Sequence, residues 1–297
     1  MDDRDIELLA FGESLVDFLP EQRGVPLRAV ERFRKTVGGA PTNLALGLGR
    51  LGRRPGLHGK VGDDEFGAFV REELDDAGVD IRGVATTDEA KTGLTFVTVE
   101  EDGERSFVFY RDPSADMTLR AEDVDPGLVA DSGIFHFGSN LLIEPGVRRA
   151  TLAGLEAATS ADCLVSVDPN IRLHLWPDEK TARQSVLELT DEADIFKLND
   201  EELEIMAPGK SPDAVWEDIL RPRGVGLFVV TLGADGAVGF SPSGRVEIEA
   251  PAVDVVDTTG AGDGFLSGFF ARLLADLSGG GEWRERLGGL PEEVLEE

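Results

Sequence analysis

Apolar residues recur along this chain with two different spacings. Ile6-Glu-Leu-Leu-Ala-Phe11 is a short apolar run ended by Gly12, the pattern of a buried strand. Residues 13–37 alternate in short stretches, with a turn signal at Gln22-Arg-Gly24. From 41 to about 51 the spacing is helical. The start, Ala40-Pro-Thr-Asn43, puts proline in the first turn, where the N–H it lacks would have had no partner. Residues 65–77 predict a second helix through Phe66, Phe69, Val70 and Leu74. Residues 92–99 and 106–110 are strand-like runs separated by Glu101-Asp-Gly-Glu104, a hairpin turn signal. This hairpin and the stretch 13–37 are expected to form a small sheet apart from the main body. Short buried-type strands follow at 133–137, 163–168, 195–198 and 227–232, with helical spacers between them. That alternation predicts an α/β fold with a largely parallel sheet. Ligands of such sheets sit at the carboxyl ends of strands, and Asp168, Asn199 and Gly233 fall just past strand ends. No internal repeat is present, and Ser278-Gly-Gly-Gly-Glu282 reads as a loop.

Composition narrows the classes. With 297 residues, 41% of them hydrophobic, the chain can form one large domain, or a large domain with a small appendage. No apolar run reaches the roughly 18 residues of a membrane span. The acidic start, Met1-Asp-Asp-Arg-Asp-Ile6, has no apolar core for a signal peptide. Cys163 is the only cysteine, which excludes an internal disulfide and a cysteine-rich metal site. His58, His136 and His174 lie too far apart to suggest a zinc enzyme.

The 58 acidic residues against 29 basic ones give a net charge of −29, and only six of the basic residues are lysines. That balance opposes nucleic-acid binding. The acidic residues are dispersed from end to end, so solvation in a salt-rich cytoplasm is favoured over binding of a basic partner.

Two glycine motifs compete for a phosphate. Gly47-Leu-Gly-Arg-Leu-Gly52 matches a dinucleotide-binding pattern, but it ends a helical stretch instead of opening one, so it reads as a helix end. Thr258-Thr-Gly-Ala-Gly-Asp263 leads directly into a helical pattern through Phe265, Leu266, Phe269, Phe270, Leu273 and Leu274. A glycine-rich turn at a helix N-terminus is an anion cradle. Spacing alone leaves Asp263 open between a base beside a transferring phosphoryl group and a cap on its own helix.

Asp257-Thr-Thr-Gly-Ala-Gly-Asp263 closely resembles the C-terminal motif of the ribokinase, or PfkB, family of carbohydrate kinases. Gly38-Gly-Ala-Pro-Thr-Asn43, Gly12-Glu-Ser-Leu-Val-Asp17, Lys197-Leu-Asn-Asp-Glu-Glu202 and Thr231-Leu-Gly-Ala-Asp-Gly236 resemble its other motifs, in the family's order and over nearly the whole chain. The resemblance implies a ribokinase-like three-layer α/β fold over residues 1–297, with a mostly parallel central sheet. The small sheet then looks like the family's lid, at about 13–37 and 90–112, which often also serves as a dimer clasp. It implies an enzyme that phosphorylates a sugar with ATP and Mg²⁺, Asp263 being the base and Gly260, Ala261 and Gly262 the anion hole. Asp17, Gly38, Gly39, Asn43, Arg111, Asp168 and Arg172 are its implied sugar-binding residues. Lys197, Asn199, Glu202, Thr231, Gly233 and Gly236 are implied on the nucleotide side, with Glu202 and Asn199 holding Mg²⁺ through water.

Phe109–Leu119 is similar to the matching stretch of fructokinases, whereas Asp168–Trp176 is similar in both fructokinases and ketodeoxygluconate kinases. In the latter an arginine matching Arg172 meets a carboxylate, and a lid tyrosine stands where this chain has Thr95. Fructose is therefore the expected substrate and ketodeoxygluconate the alternative. A non-catalytic sugar or nucleotide sensor would have little reason to keep Asp263 and its anion hole. A nucleoside kinase fits the polar segment 111–116 poorly. Only 34 residues follow Asp263, and Leu290–Glu297 reads as the start of a helix cut short.

Overall fold

The computed structural model describes residues 4–22, 24–99, 105–253, 260–277 and 283–290. The expected turn at 101–104, the loop at 278–282, residues 255–259 of the glycine-rich motif and residues 291–297 lie outside the described residues. The strands are β1 (Ile6–Phe11), β2 (Leu15–Pro20), β3 (Phe33–Gly38), β4 (Pro55–Gly62), β5 (Asp80–Thr87), β6 (Gly93–Val99) and β7 (Arg105–Tyr110). They continue as β8 (Ser132–Phe137), β9 (Leu164–Val167), β10 (Ile195–Asn199), β11 (Leu227–Thr231), β12 (Ala237–Ser241) and β13 (Gly244–Ile248). The helices are α1 (Ala40–Arg50), α2 (Glu65–Asp76), α3 (Pro126–Ala130), α4 (Pro145–Ser160), α5 (Glu179–Leu189), α6 (Asp200–Met206), α7 (Pro212–Val215), α8 (Ala261–Leu277) and α9 (Trp283–Gly288).

Nine strands form the main sheet in the order β13-β12-β11-β10-β9-β8-β1-β4-β5. It is parallel from β11 to β5 and closes with the antiparallel strands β12 and β13. The central parallel strands β1, β8, β9, β10 and β11 are largely apolar on both faces because helices cover both. Leu9, Phe11, Phe135, Phe137, Val165, Phe196 and Phe228 share a core with residues of α3 to α7. Their alternates Leu8, Ala10, Ile134, Leu164, Ile195 and Leu227 pack with α1, α2, α8 and α9. The three-layer α/β arrangement follows from that double burial.

Strand β4 escapes a hydropathy reading. All eight residues of β4, Pro-Gly-Leu-His-Gly-Lys-Val-Gly, are buried between β1 and β5. Its glycines answer to neighbours: a Cβ on Gly56 would stand 2.9 Å from Leu9 Cδ1, and one on Gly59 would stand 2.5 Å from the Gly12 carbonyl oxygen. Its Lys60 is buried because Nζ meets Asp123 Oδ2 at 2.8 Å. Neither periodicity nor apolar content marks such a strand.

The second sheet has the order β3-β2-β6-β7, with a parallel pair, β2 and β6, flanked by antiparallel partners. One face is an aromatic cluster of Phe18, Phe33, Phe96 and Tyr110, with Phe66 of α2 packed edge-on against Phe18. The other face carries Asp17 and Thr95, partners in the β2–β6 register.

Gly47 and Gly49 are helix-packing residues, in keeping with their place near the end of a helical pattern. A Cβ on Gly47 would lie 2.1 Å from Ser267 Oγ and 2.7 Å from its Cβ, and one on Gly49 would lie 2.2 Å from the Ala77 carbonyl oxygen. Gly52 takes φ +76° just past α1. Gly47→Ala is expected to push α8 away from α1, costing about 1–3 kcal/mol. A denaturant titration with an unchanged midpoint would refute the tight contact.

Candidate active site

The carboxyl ends of β1, β8, β9 and β10 open into one cavity of about 770 Å³, roofed by the small sheet. Of the residues singled out in the sequence, Asp17, Gly39, Asn43, Arg111, Asp168, Arg172, Lys197, Asn199, Glu202, Gly260, Gly262 and Asp263 line it.

Asp263 stands in the first turn of α8, and its Oδ2 accepts from Asn43 Nδ2 at 2.8 Å. A residue 220 positions away in sequence therefore orients this carboxylate. Burial pushes its pKa above the ordinary aspartate range; the Asn43 bond opposes this, the Asp168 charge adds to it, and Lys197 and Arg172 oppose it. Gly260 precedes the helix at φ +71°, a conformation that favours glycine. Gly260, Ala261 and Gly262 are exposed at the mouth of a 17-residue helix, whose first-turn amides have no intrahelical acceptor. Lys197 Nζ lies 3.8 Å from where a Gly262 Cβ would stand, so a buried ammonium flanks the same turn. Lys197 Nζ pairs with Asp168 Oδ2 at 3.2 Å.

Asn199 and Glu202 cap α6. Asn199 Oδ1 accepts from the Glu202 amide at 2.7 Å, and Glu202 Oε2 accepts from the Asn199 amide at 2.9 Å. Glu202 Oε1 accepts from the Ile171 amide at 2.7 Å, which ties α6 to the loop carrying Arg172. Burial, reinforced by Asp168, pushes Glu202 up to about 7. Both oxygens thus already serve the backbone. The described residues hold no cluster of three His, Cys, Asp or Glu side chains able to cage an ion. That donor set of oxygens without a cage fits Mg²⁺, which keeps waters and ligand phosphates around it.

On the opposite wall, burial pushes Asp17 and Glu13 upward, with the Arg111 guanidinium opposing both shifts. Arg111 pairs with Asp116, whose other oxygen accepts from Ser114 Oγ at 2.5 Å. The Thr95 hydroxyl is near enough to favour charge on Asp17 but lies outside hydrogen-bonding geometry. Thr95 Oγ1, Arg111 Nε and Asn140 Oδ1 are all buried without a hydrogen-bond partner among the described residues, and all three residues line the cavity. A ligand rich in hydroxyls satisfies such atoms.

Other expected residues have different surroundings. Gly38 leaves room for a side chain of the protein itself, since a Cβ there would fall 2.3 Å from Asp17 Oδ2. A Cβ on Gly39 would fall 2.3 Å from the Glu13 carbonyl oxygen. Thr231 pairs with Asn199 in the β10–β11 register, outside the cavity lining, and Gly233 and Gly236 shape the turn after it. Glu13, Asp116, Asn140 and Asn170 line the cavity but were not singled out in the sequence. Glu13 lies within a matched motif; Asn140 carries no local signal.

Residues 5–286 match the family described as pfkB family carbohydrate kinase. Fructokinase-1 of Zea mays is 42% identical over 275 residues, covering 91% of this chain and 84% of the relative. Fructokinase-1 of Oryza sativa subsp. japonica is also 42% identical over 275 residues, with the same coverages. The structure of a fructokinase with bound ATP from Xylella fastidiosa superposes with a TM-score of 0.85 at 32% identity, covering 98% of this chain and 88% of that one.

Asp263→Asn keeps an oxygen for Asn43 and removes a buried charge. Because the folded-state pKa is raised, the wild-type carboxyl stabilises the fold least above that pKa and most when protonated at low pH. The ligand-free variant is expected to gain about 1 kcal/mol at pH 8, shrinking toward zero on acidification. Thermal melts across pH check this, and a lower midpoint at pH 8 would mean the charge is already compensated.

Proposed function

The chain belongs to the pfkB family of carbohydrate kinases and transfers a phosphoryl group from ATP to a sugar hydroxyl; from there we propose that its substrate is fructose, with Asp263 as the catalytic base. The carrying observation is that one cavity holds the polyol-binding groups Asp17, Asn43 and Arg111 together with Asp263 at the mouth of α8. The names of the plant relatives support fructose.

The electrostatics support a neutral sugar over ketodeoxygluconate. Glu13, Asp17 and Asp116 surround Arg111, and Asp116 already holds its guanidinium. A substrate carboxylate beside them would add a further buried anion. Thr95 also stands in the β2–β6 pair where a tyrosine is expected in kinases of the sugar acid.

In this reading Asp17, Asn43 and Arg111 hold the sugar hydroxyls, with Gly38 and Gly39 beneath them and Asp168 and Arg172 at the edge. Asp263 removes the proton as the hydroxyl oxygen bonds to the γ-phosphorus and the bond from that phosphorus to ADP breaks. The amides of Gly260, Ala261 and Gly262 take the charge on the transferring group, each such donor being worth about 3 kcal/mol. Lys197 adds a fixed positive charge beside them. Mg²⁺, held through water by Glu202 and Asn199, would neutralise the nucleotide phosphates. Thr231, Gly233 and Gly236 bind the nucleotide further along the same sheet edge. The dispersed acidic surface suits a salt-rich cytoplasm.

An ADP-release assay in molar KCl is expected to show fructose phosphorylated much faster than ketodeoxygluconate. Asp263→Ala should retain fructose binding and lose about three or more decades of turnover. A preference for the sugar acid overturns the substrate, and unchanged turnover removes Asp263 from the base role.

We also propose that the small sheet pairs two copies of the chain. Strand β7 is an edge strand on which Phe107, Val108, Phe109 and Tyr110 are exposed. Sedimentation should give a dimer for the wild type and a monomer for Val108→Lys with Tyr110→Lys. A monomeric wild type refutes the pairing.

A further inference from the structure

A second void of about 20 Å³ borders Asp263, walled in part by Glu13, His136, Asn140, Asp168, Asn170 and Asp263. One water needs roughly 10–15 Å³ of such space and two to four polar partners. Three observations fill in those partners. The Asn140 amide is oriented by its Nδ2, which donates to the Asn170 carbonyl at 2.8 Å, and its buried Oδ1 has no partner among the described residues. His136 Nδ1 lies 3.0 Å from Ser166 Oγ, which leaves Nε2 as the ring nitrogen free for another bond. Burial lowers the His136 pKa to about 4, so the ring is neutral. In the tautomer that the proposal takes, Nδ1 accepts from the Ser166 hydroxyl and Nε2 carries the proton. On Asp263, Oδ2 is committed to Asn43.

We propose that one water is bound in this void, donating to Asp263 and to Asn140 Oδ1 and accepting from His136, and that His136 and Asn140 are positioning residues for Asp263 acting through it. The proposal rests on Asp263 being the base. The water holds the carboxylate from the void while the sugar hydroxyl meets it from the cavity. It supplies a second hydrogen bond to the charged form, beside the one from Asn43.

The groups facing Asp263 set the background for any pH effect. Asn43 reaches it from α1 and Lys197 from β10, Asp168 and Arg172 come from the segment after β9, and Glu13 and His136 share the void. None of these charges is altered when Asn140 or neutral His136 is replaced by an apolar residue.

The test uses the full chain with MgATP and fructose. A high-resolution crystal structure is expected to show one ordered water between Asp263, Asn140 and His136. His136→Leu and Asn140→Leu should each move the acid limb of the kcat profile upward by about one pH unit. Turnover should then fall about tenfold on the acid side and recover at high pH, with the KM for ATP unchanged. His136→Gln, which keeps a neutral N–H donor, should restore most of the limb. A void without ordered density, or a pH-independent fall in kcat in the leucine variants with no rescue by glutamine, overturns the proposal. Wild-type-like turnover in Asp263→Ala is a separate outcome that sinks the base assignment itself.

Discussion

The site depends on how closely α1 and α8 approach. Gly47 of α1 has no Cβ where Ser267 of α8 packs, so the two helices meet at near-backbone distance. That contact brings Asn43, in the first turn of α1, to 2.8 Å from Asp263, in the first turn of α8. The two helix N-termini then share the carboxyl edge of the sheet, one presenting an amide and the other an anion cradle and a carboxylate. The Ser267 hydroxyl also donates to the Asp263 carbonyl at 2.7 Å, within the same turn that it packs beside. A helix shift of an ångström would separate Asp263 from the amide that orients it, whereas the sheet beneath would be almost unchanged.

A second constraint is charge. The cavity carries more carboxylates than cations, in a chain whose net charge is −29. Burial raises the pKa of Glu13, Asp17 and Asp263 because their charged forms lose water without gaining enough partners. Such groups suit a neutral polyol, whose hydroxyls donate to carboxylates. The phosphate half must find positive potential elsewhere. In the proposed reaction the α8 N-terminus supplies it from backbone dipoles, which need no basic side chain, and Lys197, paired with Asp168, lies beside that turn. An acidic protein can therefore hold an anionic nucleotide without a basic surface patch.

Strands at Ser132–Phe137, Leu164–Val167, Ile195–Asn199 and Leu227–Thr231 were legible because they are short apolar runs buried on both faces. β4 was not, because its burial rests on missing side chains at Gly56 and Gly59 and on an ion pair at Lys60, which hydropathy counts as polar. The hairpin β12–β13 was likewise missed: Gly236, a motif glycine, is also required there, since a Cβ on it would stand 1.9 Å from the Ile248 carbonyl oxygen. Glycines at 38, 39 and 236 thus looked like ligand-approach positions in the sequence, yet each also faces an atom of the protein itself.

By itself the sequence determined the alternation of strands and helices, the glycine-rich turn ahead of an apolar helix, and the ordered motifs that bring Asp17, Asn43, Asp263 and Glu202 into one family pattern. These are local matters, set by side-chain period and by what a backbone turn allows. Only the tertiary structure decided which of these residues share a cavity, because sheet order and the α1–α8 contact are non-local. It showed that Asn43 orients Asp263, that both Glu202 oxygens are already bound to backbone amides, and that Asn140 turns toward the site an oxygen without a partner among the described residues. A partner 220 residues away leaves no mark on local spacing, so it appears only when the helices are packed.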